Sequence, residues 1–525
     1  MRGNMHILQK LKNLKRTWTT KDSLIVTAGL AVFGALSFGN MSRWSIWFDE
    51  AFGVYLIRHS FADVAKFTAT DVHPPLYYWL LKLWQGAFGD SELALRSMSM
   101  LFIMIAMVFV YLIVRRAFSR NAAAWVMAFM AISPMMIRYA DEARMYGLAM
   151  AIVAAASYVL IDATNKPSTK KWIVYGVLVS LGMWTHYFTA LIWIAHWVWR
   201  YLAVRTGNAK QTSKAFWSKE WVRAHIVAVG LFLPWLPTMV VQMSNVQGGG
   251  FWIQPITVST PFNFITNVVL YRENDETLSW LGLLMLAVII VSFALVIRTY
   301  LTLKAEQKQL YRLFIAMVLV PMAVLIIASM PPLRPSFIDR YLVTTLPYWA
   351  ALIGIAVYVG LNNKRTKLLA QVTAGLVAVA MIFGIVHVYE IGNFNKHSLD
   401  PLPVRQTAQA ISNETAGTQP IVVLSSWRFY ELHYYDSAKN PVYFEATDNL
   451  VWGSYDMLRE NDYRKVRDTA QFARENGGKI WFAGDWTYGK PVMPRQGEWT
   501  VLREIKLPGI GDKQSTIRAV ELQLK

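Results

Sequence analysis

Asp49 and Glu50 stand side by side in Trp44-Ser-Ile-Trp-Phe-Asp-Glu-Ala-Phe52, and Asp71 and His73 follow in Asp71-Val-His-Pro-Pro-Leu-Tyr-Tyr78. A carboxylate held within reach of a hydroxyl acts as a general base on it. Further on, Arg138-Tyr-Ala-Asp-Glu-Ala-Arg-Met-Tyr146 sets two guanidinium groups, Arg138 and Arg144, around Asp141 and Glu142. Thr185-His-Tyr-Phe188 supplies His186, and Asp339-Arg-Tyr341 supplies Arg340 and Tyr341. Arginines in a dry pocket bind phosphate bidentately and stabilise it as it leaves. Taken singly, each group has a plainer reading. Asp49-Glu50 fits an acidic loop tip, Arg138 and Arg144 fit partners of Asp141 and Glu142, His186 fits a polar anchor, and Asp339-Arg340 fits a local salt bridge.

The elements that carry these residues follow from composition. Of 525 residues, 55% are hydrophobic and 16% charged, with 22 Trp, against roughly 25% charged in soluble domains. Several apolar runs reach the roughly 17–25 residues that a helix needs to cross a bilayer. The chain therefore reads as an α-helical polytopic membrane protein. Its net charge of +19 is expected in cytoplasmic loops, where Lys and Arg set topology, and does not point to nucleic acid. No cysteine is present, which excludes disulfides and thiol chemistry.

Lys10, Lys12, Lys15, Arg16 and Lys21 precede a first apolar run at about 24–40. No small-x-small cleavage site follows a short apolar core, so we expect a retained span with its N-terminus inside. The run from Pro74 to Phe88 is short and interrupted, and reads as a helix lying in the interface. A span from about 94 to 114 then ends at Arg115, Arg116 and Arg120. Further spans are expected near 121–137, 145–162, 172–186, 188–203, 224–242, 279–298, 312–330, 342–360 and 368–389, about eleven in all. Every strongly basic, acid-poor loop, such as Lys364-Arg365-Thr-Lys367, then falls on one side.

The opposite face receives acids, histidines and arginines together: the first outer loop (about 41–93), the turns around Arg138–Tyr146, His186 and Pro331–Tyr341, and a loop with Gly248–Trp252 and Tyr271–Glu276. The Gly248–Gly250 run reads as a flexible loop. Ionisable groups near membrane depth are costly and mark functional cavities. Residues 391–525 are more polar. Short apolar runs at 421–424 and 479–483, alternating runs at 499–506 and 517–524, and a helical stretch at 457–476 predict a C-terminal α/β domain outside the membrane.

Trp-Phe-Asp49-Glu50-Ala, His73-Pro-Pro-Leu-Tyr-Tyr, Arg138 to Tyr146, Thr-His186-Tyr-Phe and Asp-Arg340-Tyr-Leu form an ordered set over roughly residues 20–350. That set resembles glycosyltransferase family 39, the GT-C class with protein O-mannosyltransferases and lipid A aminoarabinose transferases. The resemblance implies a GT-C-like transmembrane catalytic domain over residues 1–390, followed by the extracytoplasmic α/β domain at 391–525. It implies a glycosyltransferase of the bacterial plasma membrane that takes a sugar from a polyprenyl-phosphate donor. The acceptor would be an extracytoplasmic hydroxyl on glycan, lipid or protein, and the anomeric centre would be inverted. Asp49 maps to the catalytic base, with Glu50 as its neighbour, positioning the acceptor or sharing a divalent cation. Arg144, with Arg138 and Arg340, maps to the donor phosphate; His73, Asp141, Glu142, Tyr146, His186 and Tyr341 would line the pocket. No ligand spacing defines a metal site. A flippase of lipid-linked sugars is the alternative, but no inverted repeat is evident.

Overall fold

The computed structural model describes residues 18–205, 208–249, 253–271, 280–391, 403–415, 419–424, 426–436, 440–445, 453–485, 493–506 and 517–525. Among them, each of the eleven expected spans coincides with helix. Among the described residues, eight helices are long and apolar enough to cross a membrane, including Thr20–Met41, Glu92–Ala117, Tyr146–Asn165 and Ala305–Ala328. Thr169–Thr185 and Ala190–Val204, with 17 and 15 residues, are shorter. The helix at Leu76–Phe88 has 13 residues, about 20 Å at 1.5 Å per residue. It is too short to span.

The third expected span is not one straight helix. It consists of Arg120–Ala131 and Pro134–Ala140, bent by 59°. Pro134 has no N–H to continue the ladder and takes the first helical position after extended Ser133. The glycine run also departs from expectation, since the helix Leu236–Gly249 takes in Gly248 and Gly249. Gly250 to Trp252, Arg272 to Glu276 and the N-terminal basic residues before Trp18 lie outside the described residues.

The chain divides into two compact units. The first comprises Met1–Phe38, Ser97–Asp141 and Met145–Val388; the second comprises Gly39–Arg96, Glu142–Arg144 and Tyr389–Lys525. In the first unit, small residues let helices approach closely, as apolar bundles require. A Cβ on Gly176 would lie 2.2 Å from the Ala224 carbonyl oxygen, and one on Gly354 would lie 2.8 Å from Val126 backbone. Buried ionisable groups such as Asp22 and His196 are paired, since lipid offers them no alternative. Asp22 accepts from Tyr111 (2.8 Å) and from Arg115 Nη2 (2.9 Å), and His196 lies between Ser157 (3.1 Å) and Tyr175 (3.0 Å).

The second unit joins three short helices, Phe48–Leu56, Phe61–Thr70 and Leu76–Phe88, to an α/β sheet. The first of these is fed by the extended Trp47. The second starts at Ser60, whose hydroxyl accepts the Asp63 amide at 3.2 Å, the usual N-cap bond. The third ends at Gly89, whose φ of +86° suits a residue without Cβ. The sheet has strands β1 (Ile421–Val423), β2 (Val442–Glu445), β3 (Lys465–Val466), β4 (Lys479–Asp485), β5 (Trp499–Lys506) and β6 (Ile517–Leu524), ordered β3-β2-β1-β4-β6-β5. The first four of that order pair in parallel, and β6 and β5 are antiparallel. Val422 is in register with Tyr443 on one side and Phe482 on the other. Val422, Val466, Ile480, Phe482, Val520 and Leu522 make the core. β2 and β3 fall outside the strands expected from sequence, being four and two residues long. The strand order reverses at β1, and the helix Ser426–Tyr435 leaves from that reversal, where α/β sheets place functional groups.

Candidate active site

Asp49 and Glu50 sit in the first turn of Phe48–Leu56, where unpaired backbone N–H groups favour negative charge. Their side chains then diverge in role. Glu50 is fully buried. Arg96 grips it bidentately, Nε to Oε1 at 2.8 Å and Nη2 to Oε2 at 2.7 Å. The Ala143 amide donates to Oε1 at 2.8 Å, and the Trp47 amide to Oε2 at 3.3 Å. Arg96 also donates to the carbonyls of Met41 (2.5 Å), Trp44 (3.0 Å) and Ser45 (3.2 Å). One ion pair thus staples the entry to the helix onto the start of Glu92–Ala117.

Asp49 keeps 11% of its side chain exposed, and its Oδ2 lies 4.0 Å from Arg144 Nη2. Arg144 also donates through Nη1 to the Asp49 carbonyl (3.1 Å) and the Tyr78 hydroxyl (3.0 Å). The guanidinium therefore fixes both the backbone of Asp49 and the position of positive charge beside its carboxylate. Arg144 comes from the same short segment as Glu142, which is buried and whose carbonyl accepts the Arg144 amide at 2.8 Å. Asp71 and His73 complete this constellation, with Nδ1 3.1 Å from Oδ2. Burial pushes the His73 imidazole below its ordinary 6.5, against the pull of the Asp71 hydrogen bond and with help from the Arg144 charge. Cations close by favour the neutral ring. Asp49, Glu50, Asp71, His73, Glu142 and Arg144 are thus placed in one unit.

Arg138, Asp141, Tyr146, His186, Arg340 and Tyr341 belong to the other unit. Arg138 is buried, donates to the Tyr271 hydroxyl at 3.0 Å and lies over the Tyr139 ring. Tyr146 packs edge-on against Tyr139 (5.1 Å) and His186 (5.7 Å). His186 faces Tyr341 at 5.8 Å, and Phe188 stacks on Tyr341 at 3.7 Å. Arg340 is half-buried in the one-turn helix Asp339–Tyr341, and Asn267 donates to Asp339 at 2.7 Å. Asp141 is buried in the first turn after Pro134–Ala140. This is a cationic and aromatic constellation. Among the described residues, no three His, Asp or Glu side chains in either unit converge to hold a metal ion.

Residues 72–237 match the family model described as dolichyl-phosphate-mannose-protein mannosyltransferase. That stretch holds His73, Arg138, Arg144 and His186. No curated protein sequence matches the chain. Among solved structures, ArnT from Cupriavidus metallidurans in the apo state shares the fold with a TM-score of 0.58 at 12% identity, covering 95% of this chain and 97% of that chain. The same protein bound to undecaprenyl phosphate gives a TM-score of 0.57 at 12% identity and the same coverage. The Archaeoglobus fulgidus oligosaccharyltransferase in the apo form gives 0.50 at 12% identity, covering 90% of this chain and 70% of that chain. The chain resembles the GT-C glycosyltransferases. At this identity the solved structures establish the shared fold. Coverage of 95% takes in most of the C-terminal α/β region as well as the helices.

Several residues around the acid pair escape the motifs. Arg96 sits four residues after Glu92 at the start of an apolar helix, and that charge at a span's end was its only signal in the sequence. Ser454 donates to Asp71 Oδ1 at 3.2 Å, and Tyr455 stacks on Phe48 at 5.9 Å. Nothing in their local pattern marks either.

Proposed function

We propose that the chain is a membrane glycosyltransferase that moves a sugar from a polyprenyl-phosphate donor to an extracytoplasmic hydroxyl, with Asp49 as the base. The observation that carries this reading is the Asp49 carboxylate: partly open, set at a helix N-terminus, and flanked by a buried guanidinium at 4.0 Å. The family match and the fold shared with ArnT, which binds undecaprenyl phosphate, support the donor class.

In the reaction, Asp49 takes the acceptor's proton as the acceptor oxygen attacks the anomeric carbon. The bond from that carbon to the phosphate oxygen breaks on the opposite face, which inverts the centre. The leaving group is a phosphate, a weak base that needs no protonation near neutral pH. Arg144, whose positive charge lies beside the Asp49 carboxylate, is the favoured group for the donor phosphate, with Arg138 and Arg340 as the further candidates. Glu50 holds the helix that carries Asp49.

Purified full-length protein is incubated with undecaprenyl-phosphate-linked sugar and acceptor membranes, and released undecaprenyl phosphate is measured. Asp49→Asn is expected to abolish release and leave undecaprenyl phosphate binding within about twofold. Full turnover in Asp49→Asn rules out its role as base. Lipid-linked sugar changing sides in vesicles without any release favours the flippase.

A further inference from the structure

The C-terminal α/β region reaches the acid-bearing helix through a set of aromatic rings. Tyr430, on the helix that follows β1, is 1% exposed. It packs edge-on against Phe52 (5.9 Å) and Tyr55 (5.2 Å) and at an angle on Phe48 (6.0 Å). Its hydroxyl donates to the Ser454 carbonyl at 2.5 Å. That bond fixes the start of the segment Gly453–Arg464, which Gly453 enters with φ +73°. From there the Ser454 hydroxyl reaches Asp71 (3.2 Å), and the Tyr455 ring lies over Phe48, with centroids 5.9 Å apart and planes 28° from parallel. Phe48 and Tyr455 are half-buried, whereas Tyr430 behind them is closed to solvent. Burial, and then the Asp49 and Glu431 charges, raise the Tyr455 phenol to about 12, so its hydroxyl stays protonated in the field of the Asp49 carboxylate.

A partly open ring pair backed by a rigid aromatic layer and bordered by carboxylates is chemically specific. The polarised C–H groups on one face of a pyranose meet the negative faces of aromatic rings, and its hydroxyls donate to carboxylates. A serine or threonine side chain offers the hydroxyl without the face. We propose that Phe48 and Tyr455 form a platform that seats a pyranose ring beside Asp49, with Ser454 as a positioning residue that holds the wall through Asp71. This deepens the reading of Asp49 as the base of a sugar transfer and rests on it. The ring seated is either the donor's sugar or a sugar of a saccharide acceptor.

The test uses full-length protein in nanodiscs and saturation-transfer NMR with methyl α-D-mannopyranoside and methyl β-D-glucopyranoside. Saturation of the ring C–H protons of at least one pyranoside is expected in the wild type. Tyr455→Phe keeps it within about twofold, and Tyr455→Leu and Phe48→Leu weaken binding about fivefold, in line with the worth of one aromatic contact. Unchanged undecaprenyl phosphate binding in the leucine variants shows that the fold is intact. Displacement of the pyranoside by undecaprenyl-phosphate-mannose, but not by undecaprenyl phosphate, assigns the seat to the donor sugar; displacement by neither assigns it to the acceptor. No saturation in the wild type, or equal saturation in Tyr455→Leu, overturns the platform. Pyranoside binding without any donor turnover refutes the transferase reading alone, and donor turnover with an unaffected Tyr455→Leu refutes the platform alone.

Discussion

Replacing Glu50 with glutamine removes a charge that four donated hydrogen bonds share: two from Arg96 and one each from the Ala143 and Trp47 amides. Arg96, 1% exposed, is left buried without its anion, and one end of the new amide points N–H groups at a guanidinium. Breaking a buried ion pair from one side costs about 3–5 kcal/mol. Arg96→Met should cost at least as much, because it also removes the donor to the carbonyls of Met41 and Ser45, at about 1–3 kcal/mol for each that water cannot reach, while the Trp44 carbonyl keeps a bond from Arg405 at 3.1 Å. The double variant Glu50→Gln/Arg96→Met removes both charges. It should escape the lone-charge penalty but not the carbonyl penalty, so its cost should fall below the sum of the two single variants by about 3 kcal/mol.

Hydrogen exchange of the full-length protein in detergent, followed on peptides covering residues 41–58, reads these costs locally. A loss of about 3 kcal/mol accelerates exchange about a hundredfold, at 1.4 kcal/mol per factor of ten. Sugar transfer should fall in parallel with protection, since Glu50 acts by holding Asp49. Protection equal to wild type in Glu50→Gln, with activity nonetheless lost, would falsify the holding role and return Glu50 to the chemistry.

The remaining expectations concern pH and the lipid phosphate. His433 stacks on Phe429 (5.4 Å) and its Nε2 lies 2.9 Å from Arg58 Nη1; burial, Arg58 and Arg464 push its imidazole down to about 4. The folded state thus binds fewer protons than the unfolded chain, so this stability is present above pH 6.5 and is lost as pH falls toward 4. With allowance for its partial exposure the loss is about 2 kcal/mol. Thermal unfolding between pH 7.5 and 4 should show it, and His433→Gln should flatten the dependence; an equally steep profile in the variant counts against the assignment. Arg340→Gln should weaken undecaprenyl phosphate binding about tenfold or more, the worth of one charge-assisted hydrogen bond, measured by calorimetry on the purified protein. An unchanged affinity removes Arg340 from the phosphate site.

Helix positions were legible in the sequence because length and hydropathy are local properties of a run. The breaks were less so. Ser133-Pro134 carries a clear stop signal, yet the apolar count across 121–137 runs straight through it and hides the 59° bend. Strands β4, β5 and β6 show up as apolar or alternating runs, whereas β2 and β3 have too few residues to establish a period. Their pairing is fixed by neighbours far along the chain: Val442 opposite Ile421, and Lys465 opposite Phe444. The acids and arginines were visible as types. Their partners were not, because Arg96 and Ser454 come from elements whose own patterns describe only a span and a turn.

Asp49 and Glu50 show why that gap matters for function. The sequence presents them as equivalent: adjacent acids in the first turn of one helix. Successive helical positions point about 100° apart, so no single environment serves both side chains. Glu50 turns inward to a guanidinium 46 residues away in sequence, while Asp49 turns toward Arg144 and its charge acts on the Tyr455 phenol. A doublet of acids at a helix start is therefore a division of labour: the acid with every lone pair engaged fixes the backbone, which leaves the partly exposed one the group able to accept a proton. Exchanging the two roles would need Arg96 moved by one helical position, so Asp49→Glu/Glu50→Asp should disrupt both the staple and the site, and neither carboxylate should substitute for the other.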